Sequence, residues 1–220
     1  ILSSCFVRAG ESPIVRQGGL SRWAPCQDDQ QSLFALSLQP TQKFSYPRPD
    51  RYELVVLFDT SASQTGWVRQ EGIEVVAELV TTLPVGTSVA LMACDVESVD
   101  FTGGLISPSD PAWDLAVSKL KKRVPLGATN LSGAIEAAVT HFTSNGSSQI
   151  QRTIVYIGDG LHRSSLLSTE KYRQLIQELV KKRITVSSLA IGPVVDVENL
   201  ATLANHTGGI LYSRDAFKES

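Results

Sequence analysis

The sequence predicts an α/β fold: a doubly wound, Rossmann-like, mostly parallel six-stranded sheet with one short antiparallel edge strand and helices on both faces. Two observations predict it. From residue 52 onward, short apolar runs alternate with segments whose apolar residues recur at helical spacing, and such alternation requires a mainly parallel sheet. The composition, 42% hydrophobic and 19% charged, is that of a globular domain with a real core.

The strands are predicted from short apolar runs. Residues 52–58 form a nearly continuous run, which is typical of a strand covered on both faces. A strand at 98–101 follows its predecessor too closely for a crossover helix, so it is predicted to be the antiparallel edge strand. The remaining strands are predicted at 88–94, 153–157, 184–191 and 210–212.

The helices are predicted from apolar residues at helical spacing. Gly208 and Gly209 follow the last of them as a C-terminal cap. The helices are predicted at 67–82, 111–120, 131–142, around Tyr172 to Val180, and at 197–205.

The sequence divides into three regions. Residues 1–50 are polar and rich in turn residues, and we expect an N-terminal extension or linker, or the end of a preceding domain, with one strand at 33–38. Residues 51–214 form the predicted α/β domain, and residues 215–220 form a C-terminal tail.

The charge and the cysteine content reduce the number of possible functions. A net charge of −2 argues against a nucleic-acid binder that neutralises phosphates. Cys5, Cys26 and Cys94 give no disulfide framework and no zinc spacing; Cys5 and Cys26 remain free to pair, and Cys94 is expected in the core. No apolar run reaches membrane-spanning length and no signal peptide is evident, so the compartment stays open among extracellular, periplasmic, cell-surface and cytoplasmic.

Polar clusters at three positions are expected at the carboxyl edge of the sheet, where ligands bind in such folds. Asp59 and Asp159 follow two of the strands, Ser61 and Ser63 follow Asp59 at alternate positions, and Thr129 precedes a helix. This set offers only oxygen atoms, which suits a hard divalent cation: Mg²⁺ first, with Mn²⁺ or Ca²⁺ as alternatives. Two carboxylates at most balance the ion, which would stay electrophilic toward an outside acid.

The pattern Asp-x-Ser-x-Ser, a distant Thr and a later Asp-Gly resembles the metal-ion-dependent adhesion site (MIDAS) of von Willebrand factor A (VWA) domains, here of the bacterial type. The resemblance covers residues 52–212. It implies a protein-binding module and not an enzyme. It also implies direct metal contacts from Ser61 and Ser63, with Asp59, Thr129 and Asp159 bound directly or through water. The partner would be a protein that presents an Asp or Glu carboxylate.

The sequence departs from the family pattern beside the site. Family sites often have Gly where Ala62 stands and Met where Gln64 stands. Gln64 and Trp67, together with His162 and Arg163 after the third cluster, are expected on the rim, where they would contact a partner. Because these departures change the rim, the resemblance does not extend to the partner specificity of animal family members.

Two alternatives remain open from the residues alone. One is a Mg²⁺-dependent, phosphatase-like hydrolase that uses Asp59 as nucleophile. The other is a structural domain whose metal only staples loops. Other enzyme classes lack their motifs: there is no Gly-x-Ser-x-Gly elbow, no phosphate-binding Gly-x-x-x-x-Gly-Lys-Ser/Thr loop and no Gly-x-Gly-x-x-Gly turn after the first strand.

Overall fold

The chain divides into two compact units, Ile1–Pro47 and Arg48–Ser220. The computed structural model describes residues 21–28, 31–38, 48–142, 149–161 and 169–213. His162, Arg163 and the predicted tail at 215–220 lie outside the described residues.

The first unit contains an antiparallel hairpin. Its strands, β1 (Ser21–Asp28) and β2 (Gln31–Leu38), pair over their full length. The sequence predicted a strand only at 33–38. β1 escaped prediction because it carries Pro25 and few apolar residues; a proline is tolerated here because both strands of a two-stranded hairpin are edges.

The second unit is built on one six-stranded sheet. Its strands are β3 (Arg51–Asp59), β4 (Thr87–Cys94), β5 (Ser98–Asp100), β6 (Ile150–Gly158), β7 (Ile184–Ala190) and β8 (Leu211–Ser213). The order across the sheet is β5-β4-β3-β6-β7-β8, and among these strands only β5 runs antiparallel to its neighbour. The predicted fold class, including the antiparallel edge strand, is confirmed.

In the described part of the second unit, five α-helices pack on the two faces of the sheet. They are α1 (Gly66–Leu79), followed by a turn of 3₁₀ helix (Val80–Thr82), α2 (Ala112–Lys122), α3 (Leu131–Val139), α4 (Thr169–Lys181) and α5 (Val197–Thr207). Gly208 follows α5 in the left-handed conformation, as the sequence predicted for a C-terminal cap. None of these helices is long and apolar enough to cross a lipid bilayer.

Two hydrophobic cores lie on opposite faces of the sheet. α1 and α2 cover one face, and α3, α4 and α5 cover the other. Alternate residues of β3 enter the two cores: Val55 and Leu57 pack with α3 to α5, whereas Val56 and Phe58 pack with α1 and α2. A Cβ atom at Gly72 of α1 would lie 2.9 Å from Phe58 Cε2, so glycine allows this helix to approach β3 closely.

β6 begins at Ile150, earlier than the predicted 153. Its first residues include Arg152, which is buried and pairs with Glu53 of β3, with Nε and Oε2 3.2 Å apart. A buried ion pair at the start of a strand interrupts the apolar pattern, and the pattern alone therefore placed the boundary too late.

Candidate metal centre

Three loops meet at the carboxyl edge of the parallel strands. The first loop (60–65) follows β3, whose last residue is Asp59; the second loop (123–130) joins α2 to α3, and the third loop begins at residue 159 after β6. Because β3 and β6 are parallel neighbours, the first and third loops leave the sheet side by side. The second loop joins the first through Ala62 N, which donates to Gly127 O at 3.0 Å.

Gly158, the last residue of β6, makes room for this convergence. A Cβ atom there would lie 2.4 Å from Asp59 Cβ and 2.5 Å from the Tyr156 hydroxyl oxygen. Both distances are shorter than real Cβ contacts, so a glycine is required for the Asp59 side chain to lie beside the end of β6.

Asp59 is fully buried and accepts hydrogen bonds from three residues. Ser61 N donates to Oδ1 at 2.8 Å, the Tyr156 hydroxyl donates to Oδ2 at 2.6 Å, and Thr129 Oγ1 donates to Oδ2 at 3.0 Å. Tyr156 was not singled out by the sequence because it lies within an apolar strand and was expected only in the core.

Asp159 is also fully buried and lies on the far side of the serine pair. Ser63 Oγ donates to Asp159 Oδ2 at 2.6 Å, and the hydroxyl oxygens of Ser61 and Ser63 are 3.0 Å apart. Leu161 N donates to Asp159 Oδ1 at 2.9 Å. One hydrogen-bonded network therefore connects the metal ligands predicted from the sequence: Asp59, Ser61, Ser63, Thr129 and Asp159.

An open pocket of about 300 Å³ lies over this network. Its lining residues are Ser61, Ala62, Ser63, Gly127, Ala128, Thr129 and Leu161. Three hydroxyl-bearing residues therefore line the pocket, whereas the buried Asp59 and Asp159 are not among its lining residues. Ala62, where the family often has Gly, contributes an exposed methyl group to the wall.

Burial governs the ionisation of the site. It raises the pKa of Asp59 above its ordinary value, although hydrogen bonds from Tyr156 and Ser61 oppose that effect; the negative charge of Asp159 raises the pKa further. Burial and the neighbouring Asp59 carboxylate also raise the pKa of Tyr156 well above 10, so this hydroxyl remains a donor. Two buried carboxylates that repel each other provide a local demand for positive charge.

The donor set fits a hard cation. Among the residues that the structure describes, no three His, Cys, Asp or Glu side chains lie together, so the oxygen donors gathered at this site are two carboxylates and three hydroxyl groups. Adjacent ligands of an octahedral Mg²⁺ ion at 2.0–2.1 Å lie about 2.9 Å from each other. The Ser61 and Ser63 hydroxyl oxygens are hydrogen-bonded to each other at 3.0 Å, a separation that two adjacent ligands of such an ion could keep.

Asp95, which follows β4, holds the first and second loops together and was missed by the sequence analysis. Thr60 Oγ1 donates to its Oδ2 at 2.7 Å, and Arg123 Nη2 donates to the same atom at 2.6 Å. Asn130 N donates to Asp95 O at 2.8 Å. Burial alone would raise the pKa of Asp95, but the hydrogen bonds from Thr60 and Arg123 outweigh it and lower the pKa. The position of Asp95 after a parallel strand was the signal available.

The residues expected on the rim occupy different places. Gln64 is only 1% exposed, and its Nε2 donates to Asp159 Oδ2 at 3.0 Å and to Ile191 O at 3.4 Å, so it lies behind the site instead of on the rim. Trp67, in the first turn of α1, is 58% exposed. His162 and Arg163 fall outside the described residues.

Solved structures of other proteins share this fold. An aerotolerance-related membrane protein from Bacteroides fragilis aligns with a TM-score of 0.60 and 17% identity, over 76% of this chain and 96% of that one. The manganese-loaded TRAP protein of Plasmodium vivax aligns with a TM-score of 0.54 and 17% identity, over 71% of this chain and 63% of that one.

A third similar structure is proximal thread matrix protein 1 of the mussel byssus, with a zinc-occupied MIDAS motif. It aligns with a TM-score of 0.56 and 15% identity, over 78% of this chain and 44% of that one. A search of curated proteins found no match. Residues 52–213 match the sequence profile of the von Willebrand factor type A domain, which covers well over half of the chain. The chain therefore belongs to the von Willebrand factor type A domain family.

Proposed function

We propose that the chain is a metal-dependent protein-interaction module. In this proposal Ser61, Ser63 and Thr129 hold one divalent cation from the pocket side, and Asp59 and Asp159 support it directly or through water. The cation, when bound, supplies an electrophilic centre that coordinates an Asp or Glu carboxylate of the partner. Mg²⁺ is the first candidate, with Mn²⁺ and Ca²⁺ as alternatives.

The observation that carries the proposal is the order of the oxygens along the network. Neutral hydroxyl groups line the pocket, and each carboxylate accepts a hydrogen bond from one of them: Thr129 to Asp59 at 3.0 Å and Ser63 to Asp159 at 2.6 Å. Hydroxyl ligands do not neutralise a cation. A divalent ion in this pocket would therefore keep a strong attraction for an external carboxylate.

The similar structures support the proposal that this chain binds a divalent cation. They contain different ions, so the ion preferred by this chain must be measured. One was solved loaded with manganese and another with zinc in its MIDAS motif. On the rim, Trp67 is proposed as an exposed anchor for the partner, and His162 and Arg163, which follow Leu161 in sequence, are proposed contacts with the partner's acid.

The position of Asp59 argues against the phosphatase alternative. A nucleophilic carboxylate must reach the substrate, but Asp59 is fully buried, is not among the residues that line the pocket, and accepts hydrogen bonds at both oxygens. A metal that only staples the loops remains distinguishable by experiment, because it would stabilise the fold without any preference for acidic ligands.

Calorimetric titration with Mg²⁺, Mn²⁺ and Ca²⁺ tests the metal site. The double variant Ser61→Ala/Ser63→Ala removes two hydroxyl ligands, so we expect its titration to show no binding at concentrations that saturate the wild type. The matched control is Ser107→Ala/Ser109→Ala, an exposed serine pair with the same spacing, whose hydroxyl oxygens are also 3.0 Å apart. Equal cation affinity in the wild type and the Ser61/Ser63 variant would refute the site.

A further inference from the structure

Three exposed aliphatic residues lie in the segments that adjoin the pocket-lining residues in sequence or by contact. Val124 and Leu126 in the second loop are 76% and 72% exposed, and Val96, which follows β4, is 55% exposed. We call these three residues the apolar rim. Single exposed aliphatic residues are ordinary on protein surfaces, so the inference depends on these three occurring together in two loops that adjoin one pocket.

Contacts between loops make the apolar rim continuous with the pocket wall. Leu126 N donates to Thr60 O at 3.0 Å, which holds the rim against the first loop. A Cβ atom on Gly127, a residue of the pocket lining, would lie 2.5 Å from Val96 Cγ2. The wall itself adds apolar groups from Ala62, Ala128 and Leu161.

The charges around the apolar rim favour an acidic ligand. Segments 60–66 and 123–130 contain neither Asp nor Glu, and Lys121 and Lys122 are exposed at the end of α2 just before the rim. The Asp95 carboxylate is already paired with Arg123 at 2.6 Å. Glu97, beside Val96, is an exposed acid at the margin of this surface.

We propose that the apolar rim binds aliphatic or aromatic side chains that flank the partner's carboxylate. This inference rests on the proposed function and adds the chemistry of the partner: a protein segment in which an Asp or Glu lies between apolar residues. A metal–carboxylate bond alone does not distinguish one accessible Asp or Glu side chain from another. Apolar side chains packed on Val96, Val124 and Leu126 would add affinity and select one acid among many.

Three synthetic peptides test the inference on the full chain in Mg²⁺. The first is acetyl-Gly-Leu-Leu-Asp-Leu-Gly-amide, the second replaces each Leu with Ser, and the third replaces Asp with Asn in the Leu-flanked sequence. We expect the Leu-flanked Asp peptide to bind about tenfold more tightly than the Ser-flanked one, since burial of one or two leucine side chains corresponds to at least that ratio. Dissociation constants from NMR titration give the ratio.

Variants assign the preference to the apolar rim. Val124→Ser/Leu126→Ser should reduce the affinity ratio of the two Asp peptides to about one, while the cation titration of the variant stays that of the wild type. The matched control is Val85→Ser, because Val85 is 100% exposed and precedes β4 at the end of the sheet opposite the pocket. In that control the ratio should equal the wild-type value.

The outcomes separate this inference from the proposed function. Equal binding of both Asp peptides, with the Asn peptide weaker, overturns the role of the apolar rim and leaves the metal-dependent function standing. An Asn peptide that binds as well as its Asp twin overturns both. Mg²⁺-independent sedimentation with phosphatidylcholine/phosphatidylserine vesicles, lost in Val124→Ser/Leu126→Ser, would assign the rim to a membrane surface and overturn the protein partner.

Discussion

At the scale of single residues, the two buried carboxylates define the candidate site. Asp59 and Asp159 are withdrawn from solvent, and the donors that compensate for this come from Ser61, Tyr156 and Gln64 as well as from the ligand hydroxyls. Sequence spacing predicted the candidate oxygen ligands because Asp59 ends β3, Asp159 follows β6, and Ser61 and Ser63 come at alternate positions after Asp59. It did not identify Tyr156 or Gln64 as donors to the carboxylates, because the direction of a side chain depends on the completed fold.

Gln64 provides the prediction at this scale. Gln64→Met keeps a similar side-chain length but removes the donor to Asp159, so we expect the free energy of unfolding without metal to fall by about 1–2 kcal/mol. Chemical denaturation measures the change. The control Gln70→Met alters an exposed glutamine that donates to Glu74 and should change stability by less than about 0.5 kcal/mol. If the two variants are equally stable, Gln64 does not support the buried carboxylate.

At the scale of elements, one polar contact links the edge strand β5 to the end of helix α3. His141, just after α3, places Nε2 2.8 Å from Asp100 Oδ2 at the end of β5. Burial alone would raise the pKa of Asp100, but hydrogen bonds from His141, Gly103 N and Thr102 N outweigh it and lower the pKa. β5 has three residues, so this contact adds to a short ladder of backbone hydrogen bonds.

The lowered pKa of Asp100 predicts how the stability of the fold changes with pH. A carboxyl group whose pKa is lower in the folded than in the unfolded state stabilises the fold above its unfolded pKa, about 3.9, and loses that contribution as the pH falls through the folded pKa. We expect Asp100→Asn to lower the Tm at pH 6, and the difference from the wild type to shrink below pH 4. The exposed control Asp114→Asn should show no such convergence; a pH-independent difference for Asp100→Asn would contradict the prediction.

Local sequence patterns predict some strands and loop positions of this chain but not others. The apolar runs of β3, β4 and β7 and the short gap before β5 were sufficient to predict a mostly parallel sheet with an antiparallel edge strand, since each follows from local periodicity and loop length. The order of the strands across the sheet comes from the structure. β1 could not be predicted because its pairing with β2 overrides a poor local propensity around Pro25. The role of Asp95 depends on Arg123, which lies far along the chain, and no local pattern connects the two.

At the scale of the whole molecule, the candidate site joins both hydrophobic layers of the domain. The first loop leads into α1 on one face and the second loop leads into α3 on the other, and the carboxylates of Asp59 and Asp159 lie between them. A cation that bridges these loops would act on the folded state only, because the unfolded chain keeps its ligands far apart in sequence.

Thermal unfolding tests this linkage. At a free concentration one hundred times its dissociation constant, a cation that binds only the folded state adds about 2.7 kcal/mol, or a rise in Tm of about 5–10 °C for a domain of this size. We expect this shift with Mg²⁺ in the wild type and in Ser107→Ala/Ser109→Ala, and its absence in Ser61→Ala/Ser63→Ala. A shift that survives in the last variant would mean that the ion stabilises the protein from another position.

The burial of both carboxylates has a consequence for the order in which the ion and the partner bind and dissociate. Asp59 and Asp159 are fully buried and do not line the pocket, whereas Ala62 and Ser63 line it and are exposed to solvent. In the proposed function, the ion and the partner would therefore both reach the site through the opening of the pocket. The ion must arrive before the partner, and a docked partner blocks its departure, so each complex would trap its own cation for as long as the two proteins stay together.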